Sequence, residues 1–79
     1  MGIGEKLLIL RKIKGYTQEH VATQLGVSER TVHRWEMGAD MKLSQYHAYC
    51  RLLDVTPVKL EQADPDTFFK DKDSHKDKE

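Results

Sequence analysis

Two arginines stand one helical turn apart in the segment SERTVHRW, residues 28–35. At about 100° per residue, Val32 and Trp35 define one side of a helix, and Arg30 and Arg34 lie together roughly opposite that side. A guanidinium can bond both O6 and N7 of guanine, and the carboxylate of Glu29 can accept from N4 of cytosine. The pattern predicts a helix whose exposed face reads base edges in the major groove of DNA, with four contacting residues: Ser28, Glu29, Arg30 and Arg34.

Residues around this face have groups that suit the phosphate backbone of DNA. Gln18 begins the preceding helix, and the amides at a helix N-terminus bind phosphate directly. Such contacts position a protein on the duplex without reading its sequence. Backbone contacts are predicted for five residues: Thr17, Gln18, Thr31, His33 and Lys42.

Several of these residues also have a purely structural interpretation. Arg30 and Arg34 could be ordinary solvated arginines, although their setting favours contact with DNA. Glu29 could instead favour the positive end of the helix or pair with His33 four residues later. Ser28 is expected to act first as a helix cap.

Five helices are predicted to position these residues. Gly15, Gly26 and Gly38 are expected to end the first three helices. Thr17 and Ser28 are expected to cap the second and third. The predicted ranges are 3–14, 18–25, 28–36, 43–53 and 57–62, the last with Thr56 as its cap and Pro57 in its first turn.

The second and third helices have the residue sizes of two crossing helices joined by a turn. Ala22 is small where the helices approach most closely, and Gly26 takes the turn, where a left-handed backbone makes a side chain costly. Val32 and Trp35 are apolar where the helices touch. This is the helix-turn-helix pattern, in which the N-terminal residues of the second helix reach base edges.

The sequence resembles the lambda-repressor-like, Cro-type helix-turn-helix family, also called the xenobiotic-response-element family. The resemblance lies in GEKLLILRKIKGYTQEHVATQLGVSERTVHRWEMG and LLDVTPVKLEQ, which together span most of residues 3–62. It implies an all-α, compact five-helix DNA-binding domain that regulates transcription in bacteria or phages, commonly as a homodimer. It also implies a buried pair between Arg11 and Glu36, which completes a structural set with Ala22, Gly26, Val32 and Trp35.

Two departures from the family pattern reduce the expected number of phosphate contacts. Met37 stands where the family often has an asparagine that contacts the DNA backbone. The loop that follows is often rich in lysine and arginine, whereas GADMKLS contains only Lys42, beside Asp40. Each missing phosphate contact lowers the affinity and flattens its dependence on salt.

Length and composition bound the remaining possibilities. The 79 residues suffice for one small domain, predicted over residues 1–64, with a charged tail over residues 65–79. The net charge is zero, but residues 1–62 carry nine basic and seven acidic side chains. The tail ends in KDKDSHKDKE, which predicts disorder. Phe68 and Phe69 precede that run, and the sequence is compatible with their packing on the body of the domain or on a second subunit.

The sequence predicts a cytoplasmic protein that has no contact with a membrane. Its N-terminus does not form a secretory signal, and it contains no stretch of transmembrane length. The single cysteine, Cys50, fits a reducing compartment.

No cofactor, metal site or enzymatic activity is predicted. His47 and Cys50, three residues apart, could form half of a metal site or a catalytic pair, but the sequence offers neither further ligands nor a third orienting group. A lone cysteine more often acts as a small buried hydrophobe.

Apolar residues in the last two helices exceed what one helix face can bury. They could complete a small core, or they could form a dimer surface, which the resemblance favours. The interface predicted on this basis comprises Tyr46, Tyr49, Val55 and Val58.

The function predicted from the sequence is that of a sequence-specific transcriptional regulator, a repressor, that places helix 28–36 in the major groove of an operator. The alternative is a protein-interaction module, such as an antitoxin or a regulator subunit, that uses the same fold to bind a protein partner. The near-neutral charge and the weakly basic loop over residues 39–44 favour this alternative.

Overall fold

The computed structural model describes residues 2–63, which fold into five α-helices without a strand in that range. The predicted all-α, five-helix class is confirmed, and each helix begins and ends within one residue of its predicted range. The boundary predicted at residue 64 and the tail with Phe68 and Phe69 lie outside the described residues. The helices are α1 (Ile3–Lys14), α2 (Gln18–Leu25), α3 (Glu29–Glu36), α4 (Leu43–Leu52) and α5 (Pro57–Gln62).

Side-chain caps and left-handed glycines set the limits of the helices. The hydroxyls of Thr17, Ser28 and Thr56 each accept a hydrogen bond from the backbone N–H three residues later, over 3.0, 3.1 and 3.2 Å. Caps of this kind each stabilise a helix by about 1 kcal/mol. Gly15 and Gly26 end α1 and α2 at φ angles of 82° and 72°, a left-handed conformation that favours glycine. The turn between α2 and α3 is therefore defined from both sides.

One apolar cluster, drawn from all five helices and the residue after α4, holds the domain together. α2 packs mainly on α3, α1 crosses α3, and α5 closes the cluster against α1 and α4. The Nζ of Lys6 in α1 donates to the carbonyl oxygen of Glu61 over 2.6 Å, which ties the first helix to the last. The buried apolar residues are Leu7, Leu10, Val21, Ala22, Val32, Trp35, Tyr49, Cys50, Leu53 and Leu60.

The prediction that Tyr49 forms part of a dimer interface is wrong. Its side chain has no exposed area, and it shares the inner face of α4 with Cys50. Its hydroxyl donates to Oε2 of Glu36 over 2.5 Å. A side chain enclosed in this way has no surface to present to a second chain.

A buried ion pair joins α1 to the last residue of α3. Nε and Nη2 of Arg11 donate to the two carboxylate oxygens of Glu36 over 2.7 and 3.0 Å. The same carboxylate accepts from Nε2 of Gln18 in α2 over 3.0 Å and from the hydroxyl of Tyr49 in α4. The remaining Nη1 of Arg11 donates to the carbonyl oxygen of Tyr16 over 2.9 Å. Three helices are thus anchored on one carboxylate.

The protonation of this cluster is set by burial and by hydrogen bonds acting in opposite directions. Burial disfavours the charged carboxylate of Glu36 and acts to raise its pKa. Hydrogen bonds from its three partners outweigh burial, so the pKa lies below the ordinary value of 4.5. The hydrogen bond to Glu36 raises the pKa of Arg11 despite burial, and burial followed by the bond to Glu36 raises the pKa of Tyr49. At neutral pH the cluster is therefore an ion pair with a neutral tyrosine.

The backbone of α1 approaches the end of α3 closely at Gly4. A Cβ atom built on Gly4 would lie 2.2 Å from the carbonyl oxygen of Trp35 and 3.1 Å from that of Glu36. Neither neighbour is a flexible side chain, so a larger residue at this position requires the two helices to separate.

We expect Gly4→Ala to destabilise the protein. Overpacking of this kind lowers the free energy of unfolding by about 1–3 kcal/mol. The higher helix propensity of alanine alone would instead raise it by about 1 kcal/mol. Urea denaturation followed by circular dichroism measures the difference. Gly2→Ala is the matched control, because no heavy atom lies within 4 Å of a Cβ there. Equal destabilisation of the two variants would contradict the close approach.

We expect Glu36→Gln to lower the free energy of unfolding at pH 7 by about 3–5 kcal/mol, because Arg11 stays buried without its charged partner. Since the pKa of Glu36 is depressed in the folded state, its stabilising contribution is complete above pH 4.5 and is lost as the pH falls through the lower folded value. Stability should therefore fall less steeply below pH 4.5 in the variant than in the wild type.

Urea denaturation at several pH values from 7 to 3 tests this expectation. Glu19→Gln, which removes an exposed carboxylate in the first turn of α2, is the control. Identical pH profiles for Glu36→Gln and the wild type would show that the ion pair does not control acid stability.

Candidate nucleic-acid interface

The outer face of α3 presents charged side chains away from the core. Val32 is fully buried and Trp35 is 4% exposed, whereas Arg30 and Arg34 on the opposite side are both exposed. The salt bridge found within residues 2–63 joins Arg11 to Glu36, so neither exposed arginine is ion-paired there. Their guanidinium groups can therefore bond an acceptor outside the chain without first breaking an ion pair within the described part.

Glu29 and His33 form a stripe beside the two arginines. Both are exposed, and they lie four residues apart on the same side of α3. Because glutamate only accepts and arginine only donates, the surface offers both kinds of partner to base edges. The structure thus brings together three of the four residues predicted to read bases.

Ser28, the fourth residue, is engaged at the start of α3. Its Oγ accepts from the backbone N–H of Thr31, and the two hydroxyl oxygens lie 2.9 Å apart in a shared hydrogen bond. Ser28 is exposed and Thr31 is half-buried. The pair therefore fixes the first turn of the helix, and Ser28 borders the arginine face as a cap.

The side chain of Gln18 is turned toward the protein. Its Nε2 lies 3.0 Å from Oε1 of Glu36 and 3.4 Å from Nδ1 of His33. Because the carboxylate can only accept, the nitrogen of the amide must face it. The groups left to bind a phosphate at this end of α2 are the backbone N–H groups of Gln18 and Glu19, which have no carbonyl within the helix.

Thr17 and Lys42, the other two residues predicted to contact phosphate, are exposed at the starts of α2 and α4. The hydroxyl of Thr17 accepts from the backbone of His20, so it serves the helix as a cap. The backbone N–H of Lys42 donates to Oε1 of Gln45 over 3.1 Å, which fixes the first turn of α4.

Three residues remain of the predicted dimer interface, and they differ in exposure. Val58 in α5 is 61% exposed, and Tyr46 and Val55 are half-buried. The hydroxyl of Tyr46 donates to Oε2 of Glu61 over 2.8 Å, and burial together with this bond raises the pKa of Tyr46. Val58 is therefore the residue of this set with most apolar surface to offer.

His47 and Cys50 do not form a joint site. Cys50 is buried at 1% exposure, and burial with the nearby charge of Glu61 raises the pKa of its thiol to about 11. His47 is exposed. In the described range no three His, Cys, Asp or Glu side chains are grouped to hold a metal ion. Nor does any helix between residues 2 and 63 have the length and apolar character to cross a membrane.

Two features at or near the site have no clear signal in the sequence. The bond from Tyr49 to Glu36 could be suspected only from the rule that a buried tyrosine hydroxyl needs a partner. The position of Asp40 beside Arg34, where both line a small concavity, depends on the path of the loop after α3.

The comparisons with known proteins agree with this geometry. Residues 3–63 match the family model described as a helix-turn-helix domain. Searches of curated proteins and of solved structures gave no match. Because the match covers all five helices and most of the chain, the protein belongs to the helix-turn-helix domain family.

Proposed function

We propose that this protein is a sequence-specific transcriptional regulator that represses by occupying an operator, with α3 in the major groove. One observation carries the proposal: Arg30 and Arg34 lie side by side on the exposed face of α3 without an ion pair in the described chain. An exposed helix at the second position of a helix-turn-helix is the element that enters the major groove.

Base reading is assigned to the N-terminal half of α3. Arg30 and Arg34 each bond O6 and N7 of a guanine, and Glu29 accepts from N4 of a cytosine. Ser28 borders these contacts and holds the first turn in place. The predicted half-site is therefore rich in G·C pairs.

Contacts to phosphate orient the domain on the duplex. The backbone N–H groups of Gln18 and Glu19, which follow Thr17 at the start of α2, take one phosphate, and Lys42 takes another across the groove. Thr31 and His33 flank the two arginines and contact the DNA backbone beside them. Because these contacts are few, the salt dependence of binding should be modest for a DNA-binding protein.

A homodimer is proposed as the form that binds the operator. The support is the apolar surface of Val58 in α5, which Val55 and Tyr46 extend. A symmetric pair of domains would bring two recognition helices to half-sites about 34–36 Å apart, one turn of DNA.

A protein-interaction module is the second candidate. The observation that favours it is the exposed apolar surface around the loop after α3, where Met37 is 70% and Leu43 is 68% exposed. Co-purification with a stable protein partner, together with no retention on DNA at low salt, would select this candidate.

We expect Arg30→Ala/Arg34→Ala to abolish specific binding. Each bidentate contact contributes about 1–3 kcal/mol of discrimination, so operator affinity should fall at least about thirtyfold. The operator is first selected from a random duplex library, and affinity is then measured by fluorescence anisotropy.

The matched control is Arg51→Ala/Lys59→Ala, which removes two exposed cations from α4 and α5. Circular dichroism should show equal helical content in both double variants. An equal loss of operator affinity in the two double variants would indicate a general effect of charge. It would contradict the proposal that α3 reads the operator.

We expect Val58→Asp to weaken self-association and operator binding together, because a charge in an apolar interface has no partner. Sedimentation equilibrium measures association, and the selected operator should contain two half-sites 10–10.5 base pairs apart, centre to centre. Leu43→Asp, at a comparably exposed apolar residue outside the proposed interface, is the control for self-association. Operator binding by a monomeric wild-type protein would rule out the dimer.

A further inference from the structure

We infer that Asp40 is a specificity-determining residue that opposes the binding of DNA phosphate beside Arg34. This inference rests on the proposed function and concerns the same surface. Asp40 lies in the loop between α3 and α4, and it is exposed. It lines a concavity of about 140 Å³ together with Thr31, Arg34, Trp35 and Ala39.

Backbone hydrogen bonds fix the position of Asp40 relative to α3. The N–H of Gly38 donates to the carbonyl oxygen of Trp35 over 3.0 Å, and the N–H of Ala39 donates to that of Arg34 over 2.9 Å. Gly38 has a φ angle of 109°, a conformation that favours glycine and lets the chain turn back toward the end of α3. Gly38 and Ala39 are therefore held against the last turn of α3, and Asp40 follows them directly along the chain.

The carboxylate of Asp40 is not part of an ion pair in the described residues, where the ion pair found joins Arg11 to Glu36. The concavity is smaller than a Debye length, which is about 8 Å at physiological salt. A phosphate drawn to Arg34 at this position would therefore meet the negative charge of Asp40 with little screening.

The repulsion acts differently on specific and non-specific complexes. On a random duplex Arg34 has only phosphates to bind, and non-specific affinity comes almost entirely from such contacts. On the operator Arg34 is directed toward a guanine in the groove, so no phosphate has to enter the concavity. Asp40 therefore lowers non-specific affinity more than operator affinity, and it widens the ratio between the two.

Asp40→Asn tests the inference because it removes the charge and keeps the size of the side chain. We expect its affinity for a scrambled duplex to rise about threefold to fivefold at low salt, the scale of one like-charge contact in water. Operator affinity should rise by a smaller factor. Fluorescence anisotropy with the selected operator and with a scrambled duplex of equal composition, each at two salt concentrations, measures both.

Two further variants separate position from net charge. Asp54→Asn changes the net charge equally at an exposed residue with a φ angle of 58°, which asparagine tolerates, so it should leave the ratio unchanged. Asp40→Glu retains the charge and should behave like the wild type.

Each remaining outcome counts against the inference. Equal effects of Asp40→Asn and Asp54→Asn on the affinity ratio would show that Asp40 acts only through the net charge of the protein. A loss of operator affinity in Asp40→Asn would show that Asp40 serves to hold Arg34. If the wild type binds neither duplex, the proposed function fails and the inference fails with it. If the wild type binds the operator and Asp40→Asn has the same ratio of operator to scrambled-duplex affinity as the wild type, the inference alone is overturned.

Discussion

The carboxylate of Glu36 is the point on which the arrangement of the helices depends. Glu36 is the last residue of α3, and its carboxylate accepts hydrogen bonds from Arg11 in α1, Gln18 in α2 and Tyr49 in α4. Apolar packing is non-directional and would tolerate small rotations of α3 about its own axis. The fork of Arg11 is planar and demands two oxygens in one plane, so it removes that freedom. The direction in which the outer face of α3 points is thus defined by polar contacts on its inner side.

The same cluster links the core to the outer face of α3 and to the start of α2. Gln18 begins the helix that precedes the turn, and its amide bonds Glu36 on one side while it lies beside His33 on the other. A buried ion pair is weak evidence for stability by itself, because desolvation offsets most of the attraction. The hydrogen bonds of the cluster fix geometry, because they keep the start of α2 and the face of α3 in one relative position. The proposed binding to a duplex with fixed groove dimensions requires such a fixed position.

The limits of the helices could be predicted because they depend on local chemistry. Thr17, Ser28 and Gly26 act within three or four residues of their own positions, and the structure places all three as expected. The exposure of Arg30 and Arg34 also followed from helical periodicity alone. Tyr49 could not be assigned in this way, because its acceptor is thirteen residues distant and the helix faces alone do not distinguish a core from an interface. Gly4 carried no signal either, since its requirement arises from a carbonyl of another helix.

The distribution of charge is compatible with the proposed selection of a DNA sequence by a chain of zero net charge. Strong attraction by many cations acts on every duplex alike and raises the background as well as the signal. On the outer face of α3 the exposed arginines are Arg30 and Arg34. Asp40 lines a concavity together with Arg34, and the loop between α3 and α4 adds Lys42 alone among cations. If the proposed function holds, low affinity for random DNA follows from the same arrangement that leaves the two arginines without an ion pair in the described residues. In such a protein, phosphate contacts contribute little to the free energy of binding to DNA. The total is then smaller, and base contacts contribute the larger part of it, which favours selectivity.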